Sequence, residues 1–122
     1  MIRRVSLLIA VLSLACAAPL LAGGQATISV SELPNSIRAT QPVNVMFTVV
    51  DVANQPLNDL KPVVIATQGD KTVKVKASRV KVEGGYLAAV KFPAAGEWTL
   101  TVDSNYCHNT HVMHGVKVAA AQ

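Results

Sequence analysis

Gly84-Gly85-Tyr86-Leu87-Ala88-Ala89-Val90-Lys91-Phe92-Pro93-Ala94-Ala95-Gly96-Glu97-Trp98-Thr99-Leu100-Thr101-Val102 holds two period-two runs back to back. Tyr86, Ala88, Val90 and Phe92 fall on one side of an extended chain, and Trp98, Leu100 and Val102 do the same after the break at Pro93–Gly96. Side chains on a strand alternate between faces, so each run predicts a strand with one buried face. Gly85 and Gly96 are expected to release the backbone for the turns that precede them. Tyr86, Phe92 and Trp98 are in phase with aliphatic neighbours and are expected to be core rather than a binding platform.

Working outward, the same grammar recurs. Thr27-Ile28-Ser29-Val30 opens the domain, and Val43, Val45, Phe47 and Val49 alternate with Asn44, Met46, Thr48 and Val50 in what should be a central strand. Asn54 to Asp59 reads as a loop, Pro62 to Thr67 as an apolar strand, and Gln68-Gly69-Asp70-Lys71 as a hairpin turn. In the next run Val73, Val75 and Ala77 face one way and Lys74 and Lys76 the other, with Arg79 and Lys81 beyond. Exposed lysines protect a sheet edge from unwanted pairing, so this face is expected to be solvated and is given no ligand. Val112, Val116 and Val118 describe a last strand. With no helical stripe competing, the expectation is all-β: an immunoglobulin-like antiparallel β-sandwich of about seven strands.

The N-terminal residues carry an expectation about the compartment. Arg3 and Arg4 precede an apolar run, Val5 to Ala18, and small residues at Ala22-Gly23-Gly24 suit a peptidase, which is the pattern of a secretory signal. The expected division is residues 1–24 as signal peptide, 25–118 as the sandwich and 119–122 as a C-terminal tail. The apolar core is too short for a comfortable membrane span, so no transmembrane segment is expected after cleavage. Ser13 stands where a lipid-attachment signal would carry Leu, three residues before Cys16, so lipid anchoring is not expected. A periplasmic or secreted location is the expectation. Loss of Arg3 and Arg4 lowers the formal charge from +4 to +2, too small a balance to argue for nucleic acid.

Tyr106-Cys107-His108-Asn109-Thr110-His111-Val112-Met113-His114 contains every histidine of the chain, together with a thiol and a thioether. Imidazole, thiolate and thioether are the donors that suit copper, with zinc next. The candidate ligands are Cys107, His108, His111, Met113 and His114. If the chain is extended beyond residue 110, His111 and Met113 share one face, while His114 shares the other with Val112 and Val116. Cys107, His111 and Met113 then form the leading set, His108 a fourth member, and a late strand start would favour zinc on Cys107, His108, His111 and His114. Cleavage before Gln25 would leave Cys107 as the only cysteine, which in an oxidising compartment is expected to be buried, paired with another molecule or bound to something.

Two resemblances attach to these residues. The Gly84–Val102 segment, with its Gly-x-Tyr and Gly-x-Trp runs each leading into an alternating strand, resembles the YtkA-like family of small exported β-sandwich domains; the resemblance implies fold and compartment and hints at copper handling or oxidase assembly. The run Tyr106-Cys107, His111, Met113 and Gly115-Val116-Lys117-Val118 resembles the copper loop of cupredoxins. It departs from that loop in having no histidine upstream of His108 and a longer stretch between Trp98 and Cys107. A blue-copper centre needs two imidazoles and a thiolate, so His108 or His114 would have to substitute.

No nucleophile elbow, spaced carboxylate pair or phosphate-cradling glycine loop is present, and the chain is not expected to be an enzyme. The leading expectation is an exported accessory protein that binds copper through the Cys107–His114 loop and buffers it or passes it to a membrane or periplasmic protein partner. A metal-free interaction module using an edge strand or end loops is the alternative from a different class, and a cupredoxin-like electron carrier is the third.

Overall fold

The computed structural model describes residues 26–121; the expected signal peptide, 1–24, and Cys16 within it lie outside the described residues. Eight strands follow one another: β1 (Thr27–Val30), β2 (Pro42–Val50), β3 (Val63–Gln68), β4 (Lys71–Lys76), β5 (Ser78–Arg79), β6 (Gly85–Lys91), β7 (Gly96–Asp103) and β8 (Thr110–Val118). They form two four-stranded antiparallel sheets, ordered β1-β2-β6-β5 and β4-β3-β7-β8. That order, with the third and fourth strands on the sheet of the seventh and eighth, is the arrangement of an immunoglobulin-like sandwich. The count is eight rather than about seven. The added strand is β5, two exposed residues that pair with Leu87 and Tyr86 and carry no alternation long enough to read.

The inner faces interlock as the period-two runs require. Val43, Val45 and Phe47 of β2 oppose Val90, Ala88 and Tyr86 of β6 and Val49 opposes Ile28 of β1 on one sheet, and Val64 and Ala66 of β3 oppose Val102 and Leu100 of β7 on the other. All are buried. Phe47 and Tyr86 are directly paired across strands with stacked rings 5.7 Å apart, and Phe92 meets Trp98 edge to face at 5.5 Å. Such aromatic pairs add about 0.5–1.5 kcal/mol beyond the area they bury. Their polar atoms are also satisfied: Trp98 Nε1 donates to the Ala94 carbonyl at 3.0 Å, and the Tyr86 hydroxyl donates to Leu57 O and accepts from Leu60 N. Tyr86 thereby pins the loop before β3 to the core.

The glycines divide the labour differently from the sequence expectation. Gly84, not Gly85, takes the left-handed conformation at φ +70°, and a Cβ there would lie 2.8 Å from the Val49 carbonyl oxygen. Gly85 has ordinary φ and is needed for close packing, because a Cβ would come within 2.9 Å of Val80 Cγ2.

The flank between β1 and β8 is closed at its ends by ties distant in sequence. The Asn109 side-chain amide donates to the Ala26 carbonyl, and at the opposite end Ala119 exchanges backbone hydrogen bonds with Ile37 and Ala39. Ala119, expected to belong to the tail, is therefore stitched to the body of the domain. No helix among the described residues is long and apolar enough to cross a membrane.

Candidate functional site

The donors are placed by β8 and by the loop that feeds it. β8 pairs with β7 in two registers: Asp103↔Thr110 to Leu100↔Met113 at its start, and Trp98↔Val116 to Gly96↔Val118 at its end. Between them His114 and Gly115 stand against Thr99 alone, which is a β-bulge of one extra residue. Gly115 supplies the bulge with φ +67° in open space.

One inserted residue reverses the alternation. Val116 and Val118 point inward and are buried, and so are Trp98 and Leu100 opposite this strand. Before the bulge the inward positions are odd-numbered: Met113 faces Leu100 and His111 faces Val102. Met113 is half-buried against the core, whereas His111, nearer the rim, is exposed. Val112 is turned outward and is 44% exposed. His111 and Met113 share a face, as the alternation predicts, and His114 shares the other with Val112. Val116 does not join them, and the outward face of β8 is the His114 face rather than the core face.

The loop ahead of β8 is tightly built. Ser104, fully buried, donates from Oγ to the Asn109 carbonyl at 3.0 Å, and Ser104 N donates to the same carbonyl at 3.1 Å. Asn105 Nδ2 reaches the Lys61 carbonyl at 2.7 Å and Asn105 N donates to Asp103 Oδ1 at 2.9 Å. Asn105, Cys107 and His108 adopt φ of +57°, +49° and +63°, a conformation that costs L-residues about 1–2 kcal/mol each. Tyr106 packs against the core and anchors the loop. Cys107 and His108 border a cavity of about 160 Å³ with Asp103 and Asn105.

Cys107, the one cysteine among the described residues, is disulfide-bonded. A sulfur held in that bond carries no thiolate charge and is a poor metal ligand. Among the described residues no three of the His, Cys, Asp and Glu side chains come together to hold a metal ion. A zinc cage of Cys107, His108, His111 and His114 does not fit these positions: Cys107 is engaged elsewhere, and His114 leaves β8 on the side opposite His111. A blue-copper centre fits no better, since it requires a thiolate. His111 and Met113 do sit together. They stand two positions apart on the strand, about 6.6–7 Å between Cα atoms, a span their side chains can close around one ion.

Beside Met113 a groove of about 490 Å³ runs between β8 and the crossing segment from Val30 to Ile37, bounded by Leu33, Pro34, His114 and Lys117. Two signals could have exposed this arrangement earlier. Gly115 in the middle of a strand pattern marks a bulge, and Asn109 just before a strand marks a side chain available to tie the loop. Comparison of the chain with known protein families finds no matching family model, and comparison with curated proteins finds no match. The resemblances of Gly84–Val102 and of Tyr106–Val118 therefore rest on those residues alone.

Proposed function

We propose that the chain is an exported accessory β-sandwich that takes up monovalent copper at the His111–Met113 pair and gives it up to a membrane or exported protein. The observation that carries this reading is the bulge-set register of β8, which gathers an exposed imidazole and a half-buried thioether on one face at the rim of the sandwich. Monovalent copper accepts low coordination and soft donors, so two ligands suffice to hold it and leave it open to transfer. His114 adjoins Met113 in sequence but leaves β8 on the other face, which makes His108, on the loop before β8, the candidate third donor. Neither the Cys107 sulfur nor a cage of four ligands is required.

The YtkA-like resemblance of Gly84–Val102 supports the same compartment and cargo. Competition of the reduced protein with a chromophoric chelator of monovalent copper tests the reading: one ion per chain, at least tenfold weaker in His111→Ala and in Met113→Leu, with melting unchanged within about 1 kcal/mol. Both variants competing as well as the parent would refute it.

A second reading is favoured by a separate observation. β8 ends its sheet, and among the described residues the backbone hydrogen bonds on its outer side lie just beyond it, at Ala119. A nine-residue edge can accept an added strand from a partner, which makes a metal-free interaction module the competing account. It predicts no change of partner binding on adding or removing copper.

A further inference from the structure

At the other end of that sheet the chemistry is cationic. Lys71, Lys74 and Lys76 of β4, Arg79 of β5 and Lys81 just beyond are all exposed, with no carboxylate between Asp70 and Glu83. β4 is the edge of one sheet and β5 the edge of the other, and Ala77 alone joins them, so both edges come together on one flank. Lys74 and Lys76 stand opposite Ile65 and Val63 on the outer face. None of the five cations is held in an ion pair among the described residues. Five of the nine basic residues that follow the expected signal lie in this strip.

We propose that the β4–β5 flank docks on an anionic phospholipid surface. The cations lie along two edges and are not gathered into a pocket: of the cavities at the surface, the one beside Leu60 and Val63 reaches Lys76, while the groove at β8 and the pocket at Cys107 touch none of the five. A line of unpaired charge with only one of its five cations at a concavity suits a planar array of headgroups better than a discrete anion. Val82, 54% exposed beside Lys81, adds an apolar side chain at the end of the strip for the headgroup boundary. Each cation near such a surface changes partitioning by about fivefold, and salt screens the attraction over roughly 8–10 Å. Because β4 and β8 are opposite ends of one sheet, a domain held this way turns β8 toward water.

Cosedimentation of the protein with phosphatidylglycerol–phosphatidylcholine vesicles, beside pure phosphatidylcholine vesicles, tests this. We expect binding to the anionic vesicles only, released by raising the salt from 0.1 to 0.5 M. Lys74→Gln/Lys76→Gln should weaken it about 25-fold and Lys74→Glu/Lys76→Glu further still, while Lys91→Glu/Lys117→Glu, a charge reversal placed elsewhere, should weaken it no more than about twofold. Circular dichroism confirms that each variant is folded. Equal binding to neutral vesicles, no binding to anionic ones, or equal loss in the two charge-reversed pairs would overturn the proposal. The outcome is independent of whether copper binds.

Discussion

The two ends of the β4-β3-β7-β8 sheet obey the same alternation rule and reach opposite results. β4 keeps strict register with β3 from Val63↔Lys76 to Gln68↔Lys71, so every lysine predicted to face out does so. β8 breaks register with β7 once, and that break moves Met113 and His111 to the inner side and Val112 to solvent. A regular edge presents the face its sequence pattern states; a bulged edge presents the other one over half its length. In this sheet the regular edge carries exposed cations, and the irregular edge carries the candidate ligands.

The largest expected effect bears on what the two ends share. Leu100, fully buried, lies on β7 between β3 and β8 and opposes both Ala66 and Met113. Leu100→Ala should cost about 2–5 kcal/mol, read as a lower midpoint in denaturant unfolding, because the cavity lies in the row that both ends pack against. A loss below 1 kcal/mol would mean that the sheet is not joined through this row.

Deleting Gly115 should sharpen the contrast by making β8 regular. With one residue fewer, Met113 and His111 fall in phase with Val116 and Val118 and stay opposite Leu100 and Val102, while Val112 and His114 stay outward. The expected readout is Val112 methyls that still make no nuclear Overhauser contacts to Leu100 or Trp98, with copper retention changed by no more than about twofold. New contacts from the Val112 methyls to Leu100 or Trp98 would show that the strand slips register and that Gly115 is not the inserted residue. The milder Gly115→Ala keeps the bulge and meets no atom within 4 Å, so its cost comes from φ alone, about 1 kcal/mol in thermal melting.

The smallest effect is expected at the regular end. Lys74→Gln should change stability by less than about 0.5 kcal/mol and leave copper retention unaltered, since its side chain is exposed and lies three strands from β8. A drop in copper retention in this variant would couple the two ends and break the comparison.

These regions also differ in how much of them was legible. The Tyr86–Phe92 and Trp98–Val102 runs state their buried faces outright, because a regular strand writes its environment into every second residue. β5 was not legible: two exposed residues are too few to carry a period. In β8 the even-numbered valines 112, 116 and 118 suggested one continuous inward face, and only Gly115 signalled that the phase changes between Val112 and Val116. The pinning of the loop by Asn109 to Ala26 joins residues 83 positions apart and has no local signature. The state of Cys107 is likewise a fact of three-dimensional pairing, which residue type and spacing do not encode.

X-ray absorption at the copper edge of the protein loaded with monovalent copper tests the central claim most directly. The account predicts one sulfur and at least one imidazole nitrogen around the ion, with the sulfur retained in Cys107→Ser and lost in Met113→Leu. A sulfur that disappears in Cys107→Ser and persists in Met113→Leu, or a shell without sulfur in the parent protein, would contradict it.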